Sequence, residues 1–149
     1  MFVIRPWLVL GKYQETLNRS LLQAQTIGAM LQFAEQVEHL GIPTLYIPLE
    51  DGKLIAKEIF QKGIAFILTH YRQEKKILVS CGAGISRSVT FIIAALKETE
   101  DITLLDAYQI VLNVNPKALP HPVVWQSLCA FYNENSPYWL LLKQYNKKG

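Results

Sequence analysis

The stretch Ile77-Leu78-Val79-Ser80-Cys81-Gly82-Ala83-Gly84-Ile85-Ser86-Arg87-Ser88 decides how the chain is read. Its first three residues form an apolar run that suits a buried strand. Residues 89–96, just beyond it, are apolar on nearly every side and suit a buried helix. The loop between carries two glycines, Gly82 and Gly84. A strand, a glycine-containing loop and a helix N-terminus together make an anion cradle. Loop N–H groups turn inward, and the helix dipole adds partial positive charge. Cys81 opens the loop and Arg87 closes it, with five residues between. A sulfur at the mouth of such a loop sits where the thiolate is favoured over the thiol. Arg87 offers a planar fork that matches two phosphate oxygens. A phosphate held there places its phosphorus over the sulfur, and Ser88 is near enough to donate a hydrogen bond to that sulfur. On strand position alone, Cys81 would read as a small buried hydrophobe. The glycines, the arginine, the hydroxyl and the apolar helix argue for chemistry instead.

Length and composition narrow the function classes. A chain of 149 residues suits one domain, residues 1–149, with 136–149 as a possible C-terminal extension. Half of the residues are hydrophobic and 18% are charged, which supports a core and argues against disorder. Net charge is +3, from 15 basic and 12 acidic residues. That surplus suits an anionic substrate but is too small to imply a nucleic-acid partner. Two cysteines, Cys81 and Cys129, do not make a disulfide framework. Arg5-Pro6 interrupts the apolar start, so no secretory signal is read there. No apolar run approaches the roughly 20 residues of a membrane helix. These features point to a cytoplasmic, reducing location. His39, His70 and His121 share no ligand spacing, so no metal site is expected.

The spacing Cys81, Gly84, Arg87, Ser88 resembles the signature loop of the cysteine-dependent protein tyrosine phosphatase superfamily. It is most similar to the compact dual-specificity phosphatases. One position departs: Ser80 stands where the family usually has histidine. The element order resembles the family over nearly the whole chain, although only this loop is highly specific. The resemblance implies an α/β three-layer fold, with a mostly parallel central sheet and helices on both faces. It implies a phosphomonoester hydrolase with Cys81 as nucleophile. Backbone N–H groups of Gly82, Ala83, Gly84, Ile85, Ser86 and Arg87, with the Arg87 side chain, would bind the phosphoryl oxygens. Ser88 would help the thiolate leave, and no cofactor is implied. The family's acid is an aspartate after an extended segment of the form Ile-Pro-x-x-Asp. Ile47-Pro48-Leu49-Glu50-Asp51 fits this pattern, 30 positions before Cys81. Asp51 is the candidate acid and Glu50 its rival.

The five residues between Cys81 and Arg87 include no lysine or arginine, whereas relatives that act on inositol lipids often carry one there. Phosphoprotein is therefore favoured, on phosphotyrosine and also on phosphoserine or phosphothreonine, with a small or lipid phosphate ester as the alternative. Residues 113–116 lack the basic residues that the family often carries, which argues against a second phosphate pocket. Ser80 keeps a different class open: a module that recognises phosphate but turns it over poorly.

Along the chain, residues 2–4 and 7–10 read as strands. Residues 14–26 read as one helix with Leu17, Leu21 and Leu22 on one side, and 27–33 as a strand. Residues 34–40 are loop or one short helix, 41–43 a breaker, 44–47 a strand and 48–52 a polar loop. Residues 54–71 follow the helical period through Ile55, Ile59, Phe60, Ile64, Ile67, Leu68 and Tyr71. After the helix at 89–96 come a solvated turn at 98–101 and a helix capped by Thr103, with Asp106 three residues on, that runs to about Leu112. A proline-rich loop at 113–122 leads to a helix at 123–133. Cys129 reads as a core residue, with a resolving thiol as the alternative. The tail at 136–149 reads as a helix packed on the domain, or else as a dimer or partner contact. Alternating strands and helices place ligands at the carboxyl ends of the strands. The Cys81 and Asp51 loops should then share one edge.

Overall fold

The computed structural model describes residues 1–148. A hairpin of β1 (Phe2–Arg5) and β2 (Leu8–Lys12) leads into α1 (Tyr13–Thr16) and α2 (Arg19–Ala24). Then come β3 (Ile27–Gln32), β4 (Thr44–Tyr46), α3 (Lys57–Arg72), β5 (Lys76–Cys81) and α4 (Arg87–Glu100). Three helices complete the chain: α5 (Leu104–Val114), α6 (Pro122–Tyr132) and α7 (Tyr138–Lys148). The sheet order is β1-β2-β5-β3-β4. Within this sheet β1 and β2 pair antiparallel, while β5 runs parallel to β2 on one side and to β3 on the other, and β4 parallel to β3. This is the expected mostly parallel, three-layer architecture.

Period-two alternation sorts the strand residues between two cores. Leu8, Leu10, Ala29, Leu31, Ile77, Val79 and Cys81 face the large core under α3 to α7. Val9, Met30 and Leu78 face the smaller cluster, completed by Leu22 and Ile27. Cys81 thus leaves the sheet on its helix-rich face. There α4 is buried all round from Ser88 to Leu96, which are wholly inaccessible. Each of its large apolar side chains contributes about 1.5–3 kcal/mol by leaving water. Phe91 anchors it, its ring 4.5 Å from that of Phe33 and 5.2 Å from that of Phe60.

Several elements differ from the sequence reading. The helix expected over 14–26 is split in two. The Asn18 side chain accepts from the Leu21 N–H at 3.0 Å and starts α2 anew, leaving Leu17 exposed. α3 starts at Lys57 and not at residue 54: the Ile55 N–H donates to Ser127 Oγ at 3.0 Å, and Leu54 is exposed. The turn at 98–101 is the last turn of α4, which Asp101 ends in the left-handed region at φ 53°. There Glu100 accepts both prongs of Arg5, at 2.8 and 2.9 Å. The loop at 113–122 is shorter than expected. α5 continues to Val114, and Pro122 opens α6 behind His121, whose Nδ1 accepts from the Val123 N–H at 3.2 Å. Residues 34–40 take the loop alternative of their reading. Cys129 is half-buried, with burial raising its thiol pKa. The tail is helical, with Leu141 buried and Trp139 exposed; Gly149 lies outside the described residues.

Gly63 on α3 tests how closely α3 and α4 approach. A Cβ there would lie 2.5 Å from Phe91 Cε2, on a ring held between two others. Alanine favours helix by about 1 kcal/mol over glycine, but overpacking costs about 1–3 kcal/mol. Gly63→Ala should therefore lower the urea midpoint, and a raised midpoint would show that this contact relaxes freely.

Candidate active site

The site begins where β5 ends. Ser80 is buried, its backbone registered with Gly11 of β2 and Gln32 of β3, and its carbonyl accepts from the Phe33 N–H at 3.1 Å. Cys81 follows, 2% exposed, with Sγ 3.0 Å from Ser88 Oγ. Ser88 is on the first turn of α4 and fully buried, so the hydroxyl stands behind the sulfur. The loop from Gly82 to Ser86 then turns back to the start of α4. Gly84 has φ 69°, and a Cβ on it would lie 3.0 Å from the Gly11 carbonyl oxygen, so both conformation and space require glycine. The α5–α6 connection braces the loop. The Leu119 N–H donates to the Ile85 carbonyl at 3.0 Å, and buried Asn115 Nδ2 donates to the Gly84 carbonyl at 3.3 Å.

Arg87 opens α4. Its Nη1 donates to the Leu49 carbonyl at 2.6 Å, which ties it to the segment carrying Asp51. Its Nε is buried and has no acceptor among the described residues, which is uncommon for a charged donor. A Cβ on Gly82 would lie 3.4 Å from Arg87 Nη2, so the guanidinium lies close under the loop.

A cavity of about 380 Å³ opens here. Asp51, Cys81, Ser86 and Arg87 supply polar and ionisable groups, while Ala83, Ile85, Leu119, Pro120, His121, Pro122 and Tyr138 complete the wall. Asp51 reaches the cavity because Ser86 Oγ donates to its Oδ1 at 2.7 Å. Glu50 is exposed and does not line it. The two loops read from the sequence do meet at one edge. Of the expected loop residues, Ala83, Ile85, Ser86 and Arg87 line the cavity, while Gly82 and Gly84 shape the turn.

Three contributors were not singled out in the sequence: the side chain of Ser86, His121 and Tyr138. His121-Pro122 at a helix start was a usable signal, because proline favours the first turn. Tyr138 gave none, since only the packing of α7 brings it to the wall. Its hydroxyl donates to the Pro120 carbonyl at 2.5 Å. Burial, and secondarily the Asp51 charge, raise its pKa and keep it a neutral donor. Among the described residues no three His, Cys, Asp or Glu groups gather as a metal site, and no helix is long and apolar enough to cross a membrane.

Comparison with known proteins fits this arrangement. The family described as "Dual specificity phosphatase, catalytic domain" matches residues 8–134. Dual specificity protein phosphatase 14 of Homo sapiens is 27% identical, over 95% of this chain and 79% of its own. Dual specificity protein phosphatase 19 of Mus musculus is 28% identical over 85% of this chain, which spans 59% of that relative's length. In fold, the chain is similar to human DUSP28, with a TM-score of 0.81 at 22% identity, covering 97% of this chain and 99% of the other. It is also similar to the human tyrosine phosphatase-like serine/threonine/tyrosine-interacting protein, with a TM-score of 0.82 at 24% identity, covering 89% and 95%. A loop spaced Cys81, Gly84, Arg87, Ser88 at the end of a central parallel strand, inside a domain matched over residues 8–134, means that this chain belongs to the family of cysteine-dependent dual specificity protein phosphatases.

Proposed function

We propose that the chain hydrolyses phosphomonoesters on proteins through a phosphocysteine intermediate. The observation that carries this reading is the meeting of Cys81, Arg87 and Asp51 in one cavity, at the end of β5 and the start of α4. In the first step Cys81 Sγ attacks phosphorus. An S–P bond forms, the P–O bond to the leaving group breaks, and Asp51 gives that oxygen its proton. In the second step the Asp51 carboxylate takes a proton from water, the water oxygen bonds to phosphorus, and the S–P bond breaks to release inorganic phosphate. The Ser88 hydroxyl, 3.0 Å from Sγ, supports the departing thiolate. Charge on the phosphoryl oxygens is met by the Arg87 fork, the loop N–H groups from Gly82 to Arg87 and the positive end of α4. This chemistry needs no metal.

Phosphotyrosine is the favoured substrate, with phosphoserine and phosphothreonine also admitted. The loop residues between Cys81 and Arg87 bring no cation for additional phosphates, and Gly82, Ala83, Asp51 and His121 leave the cavity mouth exposed. Buried Ser80 supports a second reading, as a phosphate-binding module with slow turnover, because serine replaces the histidine usual in the family.

Cys81→Ser should lower turnover of an aryl phosphate by at least about 10³-fold while phosphate still binds. Substantial turnover by the purified variant would eliminate the phosphocysteine route, and a parent protein that binds phosphate without turnover would favour the binding module. Asp51→Asn should cost roughly 10²–10⁴ in kcat/KM, less for leaving groups that depart without a proton. A larger loss in Glu50→Gln would transfer the role to Glu50. Ser80→His should stabilise the thiolate and shift the acidic limb of the pH–rate profile to lower pH; an unmoved or raised limb would show that the loop compensates for serine.

A further inference from the structure

Ser86 is at the N-cap position of α4, yet its side chain makes no cap hydrogen bond to that helix. A serine there ordinarily turns its oxygen onto the first N–H groups of the helix. Here the hydroxyl is committed elsewhere. It donates to Asp51 Oδ1 at 2.7 Å and accepts from the His121 N–H at 2.9 Å. The residue is itself buried, and its carbonyl accepts from the Thr90 N–H at 2.9 Å and the Thr90 hydroxyl at 2.8 Å. Its backbone therefore belongs to α4 while its hydroxyl reaches across to two other segments.

The acid loop is seated from a second side. Gly52, next to Asp51, has φ 83°, and a Cβ there would lie 3.2 Å from His121 Nε2. The His121 ring is oriented through Nδ1, which accepts from the Val123 N–H at 3.2 Å. Asp51 is exposed, on a loop of no regular structure, so little else confines it.

We propose that Ser86 is a positioning residue for the acid: its hydroxyl locks the Asp51 loop onto the phosphate loop and presents the other carboxyl oxygen to the leaving group. The inference rests on the role proposed for Asp51. Oδ1 faces a donor hydrogen, so the acidic proton resides on Oδ2, the oxygen left free for the cavity. In the second step the same Oδ2 receives the proton from water. Ser86 itself forms and breaks no covalent bond.

The test is a series of aryl phosphates with leaving phenols of increasing pKa, run on the full chain. Ser86→Ala should lower kcat/KM, which reports only the step that expels the phenol, about tenfold for the poorest leaving groups and less than about twofold for the best, the size expected from losing one charge-assisted hydrogen bond. Inhibition by inorganic phosphate should stay unchanged, Ser86→Thr should restore the rate, and Ser86→Ala should add nothing in an Asp51→Asn background. Gly52→Ala, in the exposed loop, should give the same leaving-group dependence by lifting the loop off His121, and it covers the case in which Ser86→Ala does not fold. Equal losses across the series, or weaker phosphate inhibition, would reduce Ser86 to a structural part of the phosphate loop and overturn the proposal alone. Absence of Cys81-dependent turnover in the parent protein would overturn the proposed function as well.

Discussion

Between Ser80 and Arg87 the chain leaves a strand paired on both edges and enters a helix buried on every face. β5 is registered with β2 on one side and β3 on the other, and Val89 to Leu96 of α4 have no accessible surface. Neither end of the connecting loop can drift without disturbing the sheet or opening the main core. The loop must then turn within five residues, which it does through a left-handed Gly84 pressed against the Gly11 carbonyl. The position of the Cys81 sulfur follows from these constraints, and Ser88 Oγ meets it from the first turn of the same helix. Rigid hydrophobic packing thus sets the polar geometry.

The remaining site residues come from segments with far fewer constraints, and polar contacts hold them to the loop. The Leu49 carbonyl takes a hydrogen bond from Arg87, Asp51 from the Ser86 hydroxyl, and the Ser86 oxygen from the His121 N–H. Ser86 and Arg87, adjacent in sequence, therefore tie the segment after β4 to the start of α4. The α5–α6 connection joins the same assembly through Leu119 and Asn115. Hydrogen bonds of this kind contribute little individually to stability, about 0.5–1.5 kcal/mol each, but they are directional and fix orientation. Positioning of an exposed carboxyl depends on that property more than on burial.

The elements read correctly from sequence are those in which one strong local signal acts alone. β5 and α4 declare themselves through continuous apolar runs, and α5 through the Thr103 cap, whose Oγ1 accepts from the Asp106 N–H at 3.1 Å. Errors arose where a competing partner for the backbone, local or distant, outweighed periodicity. Asn18 interrupts a helical pattern because its short side chain offers the backbone a better partner than the next helical turn. Leu54 and Ile55 fit the helical period of α3 but belong to the segment before it, since Ser127 on α6 takes the Ile55 N–H. That partner lies 72 positions away, beyond any local window.

By itself, the sequence determined the family and the local architecture of its signature loop. The spacing of Cys81, Gly84, Arg87 and Ser88 depends only on how a strand, a tight turn and a helix succeed one another, and that succession is local. It also determined that the Asp51 loop lies at the same sheet edge, because parallel strands bring the ends of β4 and β5 to one side. Tertiary structure alone decided what surrounds that loop: His121 beside Gly52, Tyr138 on the wall, and the Ser86 hydroxyl turned from its own helix toward Asp51. These contacts join residues on separate elements, and their geometry follows from how α6 and α7 pack on the core. No spacing along the chain encodes that packing.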